Sequence, residues 1–250
     1  MAINKIFHSL DETVADIFEG AVILIGGFGP ANGCPSYLIR SLAKKGVSNL
    51  TLVGNTPGHS RELFESLQAK GVVRVPANYD DGALLVKNGQ VRKVICAFPG
   101  SPWPGTKNPT QEWFANGKLK IELVPQGTLA ERIRAAKAGI SAFYTSTGAG
   151  TLLENGKETR LFEGVTNVLE YAIKADFALI RAHKADRWGN LVYQGTSRNF
   201  NATMAGAARI TIAEVDEIVE LGDLDPEVIV TPCIYVNRIV VRPPMGETTP

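Results

Sequence analysis

Cysteine is scarce in this 250-residue sequence: Cys34, Cys96 and Cys233 are the only three, and no two stand at CxxC spacing. An odd, scattered set excludes a disulfide framework and points to reduced thiols. Histidine is as rare. His8, His59 and His183 are far apart, with no Cys or acidic partner at ligand spacing, so no metal is implied and all three read as solvated or structural. Neither sign of charge dominates: 26 Lys+Arg stand against 25 Asp+Glu, and no basic run exceeds two residues. Without a basic field to hold a polyanion, nucleic acid is not an expected partner. Long apolar runs are missing too. The most apolar segment, Ala21 to Ile25, stops at Gly26, whereas a membrane span needs about 20 residues. The first 18 residues carry Asp11, Glu12 and Asp16 and no apolar core of an export signal. A cytoplasmic protein without membrane contact is expected.

What is present is an ordinary globular composition with 25 Gly and 14 Pro. The length suits one large domain, residues 1–250, with a substantial core. Ser9-Leu10-Asp11-Glu12 has the capping-box pattern and predicts a helix through Phe18. Val22 to Ile25 reads as a buried strand. A glycine-rich stretch, Gly26 to Cys34, follows, and then an amphipathic helix with Pro35 in its first turn and Gly46 as its cap. Leu50 to Val53 is the next strand, so the order is that of a βαβ unit with a parallel pair.

The fold class is therefore α/β: an open, mostly parallel sheet flanked by helices. Further strands are predicted at Lys93–Phe98, Lys120–Val124, Phe177–Ala182, Leu191–Tyr193, Arg209–Val215 and Arg238–Val241, which makes the second half strand-rich. Helices are predicted at Thr128–Lys137 and Ala202–Ala208. The Pro-Gly stretch Gly100–Gly105 is a loop.

A glycine loop between a buried strand and a helix lets backbone N–H groups approach a ligand, and the helix N-terminus favours negative charge. Phosphate, carboxylate and thioester oxyanion all fit, and so does a plain tight turn. A dinucleotide site would want G-x-G-x-x-G and an acid after the second strand, where this chain has Asn55.

Gly26-Gly27-Phe28 with Gly33-x-Pro35 resembles the signature of family I coenzyme A transferases, in particular the A (alpha) subunit of the 3-oxoacid and 3-oxoadipate type. Similar stretches run along nearly the whole chain: Leu50–Asn55, Val91–Val94, Val124–Arg134, Thr147–Thr151, Ala175–Ile180, Asp186–Leu191, Arg198–Asn201 and Val219–Leu224.

The resemblance implies a ping-pong transfer of CoA between an acyl-CoA, such as succinyl-CoA or acetyl-CoA, and a carboxylic or 3-oxo acid. A glutamate supplied by a separate B subunit attacks the thioester, and no cofactor is bound permanently. Heterodimer and α2β2 assemblies are both implied. On this chain the resemblance points to Gln126, Asn55 and Thr56 as oxyanion and substrate-binding residues. It makes Gly26, Gly27, Phe28, Gly29, Pro30, Ala31, Asn32 and Gly33 the CoA and substrate loop. Gln126 and Asn55 each follow a predicted strand end, where open α/β sheets present ligand-contacting groups.

Leu153-Glu154-Asn155-Gly156 echoes the context of the B-subunit glutamate, but it lies in a polar stretch with Lys157, Glu158 and Arg160 and is read as an exposed turn. Cys34, at a predicted helix N-terminus, is read as a buried structural thiol, and Asp186–Asn190 as a packed hairpin corner.

Two departures from the family pattern are Thr56, where many relatives carry a second Asn, and a Phe28–Gly33 loop longer by one residue. A third is an apparent insertion between Gly58 and Asp80, with a helix at Glu62–Lys70 and a strand at Val72–Val75, expected near the substrate entrance. A CoA-thioester hydrolase on the same scaffold and a non-catalytic nucleotide-binding module are the competing readings.

Overall fold

The computed structural model describes residues 3–28, 33–75 and 79–243. Nine strands form one sheet: β1 (Ile6–Phe7), β2 (Val22–Ile25), β3 (Leu50–Gly54), β4 (Val91–Cys96), β5 (Lys120–Leu123), β9 (Ala175–Asp186), β10 (Leu191–Val192), β11 (Ala208–Val219) and β12 (Arg238–Val241). Their order is β1-β12-β11-β9-β2-β3-β4-β5, with β10 beside β9. Every pair is parallel except β9–β10. The order reverses at β2–β9, joined in register at Ile23–Phe177 and Ile25–Leu179. Such a switch point opens a crevice beyond the strands' carboxyl ends.

Alternation along each central strand builds a core on both faces, as a parallel sheet requires. Ile23, Leu52, Phe177 and Leu179 face one cluster, with Leu38 and Leu42 of α2 (Ser36–Lys45) and Phe64 of α3 (Arg61–Ala69). Leu24, Val53, Ala178 and Ile180 face the other, with Leu129 and Ile133 of α6 (Gln126–Lys137) and Phe200 and Met204 of α7 (Asn199–Met204). Gly46 closes α2 in the left-handed region at φ 76°. Short helices α4 (Ala83–Lys87) and α5 (Pro109–Ala115) complete the first half, α5 through an Asn108–Gln111 capping box.

Three expectations are corrected. The N-terminal helix, α1, covers only Leu10–Thr13, and Ser9 makes no side-chain cap. The Thr13 hydroxyl instead bonds back to the Leu10 carbonyl at 2.6 Å, one way a β-branched hydroxyl residue competes with helix propagation. Val72–Val75 is not a strand: the Val72 N–H donates to the Leu67 carbonyl (2.9 Å) and the Val75 N–H to the Gln68 side chain (2.8 Å). A second, antiparallel sheet, β6 (Ala142–Thr145), β8 (Val165–Tyr171) and β7 (Thr159–Phe162), escaped the sequence reading. The β7–β8 turn is Glu163-Gly164, both at positive φ (51° and 79°), the geometry a two-residue hairpin loop needs.

Candidate active site

Because β2 to β5 are parallel, their carboxyl ends share one edge of the sheet, and the loops after them meet there. Asn55 follows β3 and is buried; Gln126 follows β5 and is exposed. Across the end of the intervening β4, Gln126 Nε2 donates to Asn55 Oδ1 at 2.7 Å. The Asn55 carbonyl accepts the N–H groups of Ala97 (3.1 Å) and Phe98 (3.0 Å), so the loop after β4 is tied under the same residue. The two amides singled out in the sequence therefore form one unit. Thr56 lies beside it, but its hydroxyl accepts the Gly58 N–H at 3.2 Å and closes a local turn.

The glycine loop follows β2. Gly26 donates to the Leu179 carbonyl at 2.9 Å, and a Cβ there would fall 1.8 Å from Asn201 Oδ1. Asn201, fully buried, accepts the Arg181 N–H (3.0 Å) and donates to the carbonyls of Gly33 (2.9 Å) and Ser197 (2.8 Å), tying the Gly33 end of the loop to β9 while lying close against Gly26. Phe28 stacks on Phe200, with centroids 6.4 Å apart and planes 7° from parallel. Gly29, Pro30, Ala31 and Asn32, the middle of the expected loop, lie outside the described residues.

The anion-binding role foreseen for the N-terminus of α2 is filled from within the chain. Glu214 of β11 accepts the N–H groups of Tyr37 (2.9 Å) and Leu38 (3.1 Å). Burial pushes its carboxyl up to about 7, against the pull of those N–H groups and of Arg181 and Arg242. A lone acid inside Ile210-Thr211-Ile212-Ala213-Glu214-Val215 was the signal for it in the sequence. Cys34 is buried, donates to the Asp80 carbonyl at 3.4 Å, and has its thiol driven well above the usual range by burial. It is a structural thiol.

Two hollows flank the amide pair. A narrow one of about 20 Å³ runs between Gly26, Phe28, Cys34, Asn55, Tyr79 and Asp81. Asp81 accepts from the His59 N–H (2.9 Å), the Tyr79 hydroxyl (3.1 Å) and the Ala83 N–H (3.0 Å), and burial raises its carboxyl despite these donors. An open cleft of about 240 Å³ lies on the other side, lined by Phe28, Gln126, Gly127, Ala130, Asn199, Phe200 and Thr203. A larger concavity of about 510 Å³ near His8, Tyr37 and Lys44 holds none of the predicted residues, and its Lys44 is paired with Asp11. Asn55 and Gly26 line the narrow hollow, and Phe28 and Gln126 line the open cleft.

The segment after Gly58 is built into the body: Phe64 is fully buried, and His59 packs edge-on against Phe64 and Trp103. Burial pushes the His59 imidazole down to about 4. Among the described residues no group of His, Cys, Asp or Glu is placed to hold a metal, and no helix is long and apolar enough to cross a membrane.

The model of the coenzyme A transferase family matches residues 7–242. The chain belongs to the coenzyme A transferase family. It is 47% identical over 238 residues to the A subunit of the 3-oxoadipate CoA-transferase of Pseudomonas putida, covering 95% of this chain and 94% of that one. To the A subunit of the succinyl-CoA:3-ketoacid coenzyme A transferase of Helicobacter pylori it is 42% identical over 236 residues, 94% and 91% of the two chains. Its fold is that of the acyl-CoA transferase of E. coli O157:H7, solved as a thioester complex with CoA. The TM-score is 0.77 at 20% identity, over 99% of this chain and 49% of the other.

In this CoA-transferase chain Glu154 stands on a 3-10 turn, Leu152–Glu154, where its carboxylate accepts the Gly150 N–H at 2.6 Å. It is a turn-former. Asp186 likewise ties its corner, accepting the N–H groups of Trp188, Gly189 and Asn190.

Proposed function

We propose that the chain is the A half of a two-subunit CoA-transferase, moving CoA between an acyl-CoA and a carboxylic or 3-oxo acid. A glutamate of a B subunit is the nucleophile, in a heterodimer or α2β2 tetramer. The observation that carries this reading is the Gln126–Asn55 pair: two amides joined at 2.7 Å on the sheet's carboxyl edge beside the glycine loop. The buried thiol and carboxyl nearby, Cys34 and Asp81, already have partners. The site therefore offers donors and wants an external nucleophile. Relatives that are named as A subunits, and a solved transferase about twice this length, support a missing half.

The B-subunit carboxylate adds to the thioester carbon, the C–S bond breaks, and CoA leaves as thiolate from a mixed anhydride. The thiolate then attacks the glutamyl carbonyl, releasing the first acid as carboxylate and leaving glutamyl-CoA. An acceptor carboxylate reverses the sequence, which regenerates the glutamate. Each addition places negative charge on a carbonyl oxygen. The Asn55 Nδ2 hydrogens and the second Gln126 amide hydrogen, with the loop N–H groups, are the donors for it; one such donor is worth roughly 3 kcal/mol. No resident cofactor enters this chemistry, and CoA is a substrate. The three free thiols, none in a disulfide, suit the cytoplasm.

The test is co-expression with a B-type partner and product analysis. Acyl-CoA consumption should require both the partner and an acceptor acid. Equal consumption without acceptor would make the pair a hydrolase, and activity of this chain alone would remove the partner from the reading.

A further inference from the structure

Pairing between β3 and β4 stops at Gly54 and Cys96, so Asn55, the next residue, stands on a loop beyond the ladder. Its side chain can aim at a reacting oxygen only if that loop is held. On one side it is held by the Ala97 and Phe98 N–H groups on the Asn55 carbonyl and by Gln126 on Oδ1. On the other side the loop runs through Thr56, Pro57 and Gly58 to His59, whose N–H donates to Asp81 Oδ2 at 2.9 Å. Asp81 is itself anchored. Its Oδ1 accepts the Ala83 N–H at 3.0 Å at the start of α4, where Ala83, Leu85 and Val86 are fully buried, and the Tyr79 hydroxyl donates to Oδ2 at 3.1 Å. The approach is close enough to require glycine on both sides. A Cβ at Gly58 would fall 2.2 Å from Asp81 Oδ1, and one at Gly82 would fall 2.6 Å from the Pro57 carbonyl oxygen. Burying a carboxyl is unfavourable, and these donors offset only part of that, because burial still raises Asp81.

Resting on the transferase reading above, we infer that Asp81 is a positioning residue for the transfer step: through the His59 N–H it holds the Asn55–His59 loop against α4, and this fixes the aim of the Asn55 amide. The Asp81 carboxyl touches no reacting atom, and its effect passes through Asn55. The leverage is large, because a misplacement of about 1 Å at a reacting centre can lower a rate on the order of 10²-fold. The segment between Gly58 and Asp80, expected beside the substrate entrance, joins the two halves of this brace.

Asp81→Asn keeps the shape and puts an amide NH2 where the His59 N–H needs an acceptor; Tyr79→Phe removes one donor to the same oxygen and is the milder change. The kinetics use the complex with its B partner, succinyl-CoA and acetoacetate. Asp81→Asn should lower kcat roughly tenfold or more and leave KM for succinyl-CoA within about twofold. Tyr79→Phe should lower kcat about threefold, the effect of one neutral hydrogen bond. In an Asn55→Ala background neither change should lower kcat by more than about twofold, because the residue they act through is gone. Equal losses in both backgrounds would make Asp81 a general structural support and overturn the inference. A second measurement needs no turnover. In hydrogen exchange on the full chain, Asp81→Asn should speed the Ala97 and Phe98 amides, which bond the Asn55 carbonyl, roughly tenfold or more. The distant Ile239 amide, bonded to the Lys5 carbonyl at 2.8 Å, should exchange as in the parent. Uniform acceleration, or none at Ala97 and Phe98, overturns the inference. A parent complex that moves no CoA would instead strike at the transferase reading, while the exchange result would still decide whether Asp81 holds Asn55.

Discussion

Glu214 Oε2 accepts the backbone N–H of Tyr37 at 2.9 Å, joining β11 to the first turn of α2 across 177 residues of sequence. Its carboxyl is raised by burial from 4.5 to about 7, so the native state holds a proton there that the unfolded chain releases. Stability from this group is full below about 4.5 and is lost as pH rises through about 7. The loss is of order 3 kcal/mol. Glu214→Gln should flatten the fall between pH 4.5 and 7 in urea unfolding; an unchanged slope would show that Glu214 does not titrate there.

Gln126→Ala and Asn55→Ala should each lower kcat of the assembled enzyme by roughly 10²–10³, the effect of removing one oxyanion donor. Because the two amides act as a unit, the double variant should lose much less than the product of the single losses. Steady-state kinetics, with association of the two halves followed in parallel, decides it: multiplicative losses would separate the residues.

Gly26→Ala would place its Cβ 1.8 Å from Asn201 Oδ1 and should destabilise the chain by about 2–4 kcal/mol. Asn201→Ala leaves the Arg181 N–H and the Gly33 and Ser197 carbonyls short of a partner, at a cost of roughly 1–3 kcal/mol for each group that stays unsatisfied. The double variant has room for the methyl and should be more stable than the sum predicts. Additive denaturation energies would refute the contact.

Glu154→Ala should cost about 1 kcal/mol, a lost charge-assisted turn bond, and leave transfer kinetics as in the parent. Borohydride trapping of the thioester intermediate should label the B partner in both proteins. Loss of trapping in the variant would return Glu154 to the reaction.

Thiol labelling checks the burial beneath the glycine loop. Half-buried Cys233 should react with an aromatic disulfide reagent in the native state, while Cys34 and Cys96 should react only on unfolding, both being buried with raised pKa values. Rapid labelling of Cys34 would contradict its burial.

The parts of the fold readable in the sequence were those whose signal is local. Val22–Ile25 and Leu50–Val53 are apolar or nearly so throughout because both sheet faces are covered. The strands of the small sheet were missed because β7 is exposed along its whole length and β8 is exposed at both ends, and neither carries a clear apolar alternation. Asn55 and Gln126 could be named because each sits at a strand end. That they bond each other depends on β3, β4 and β5 lying side by side, which no local pattern states. What Asn201 and Glu214 hold was illegible for the same reason: their partners, Gly33 and Tyr37, are 168 and 177 residues away.

The bridge from Asn55 to Gln126 spans the end of β4, and its footing is therefore the inter-strand spacing of a hydrogen-bonded sheet, about 4.8 Å per step. Backbone repeat distance is among the least variable quantities in a protein. The distance between the two amides is thus set by the sheet, while the aromatic cleft beside it is built from loop and helix side chains that the sheet does not fix. The cleft walls can diverge between relatives in this arrangement without altering the Asn55–Gln126 distance.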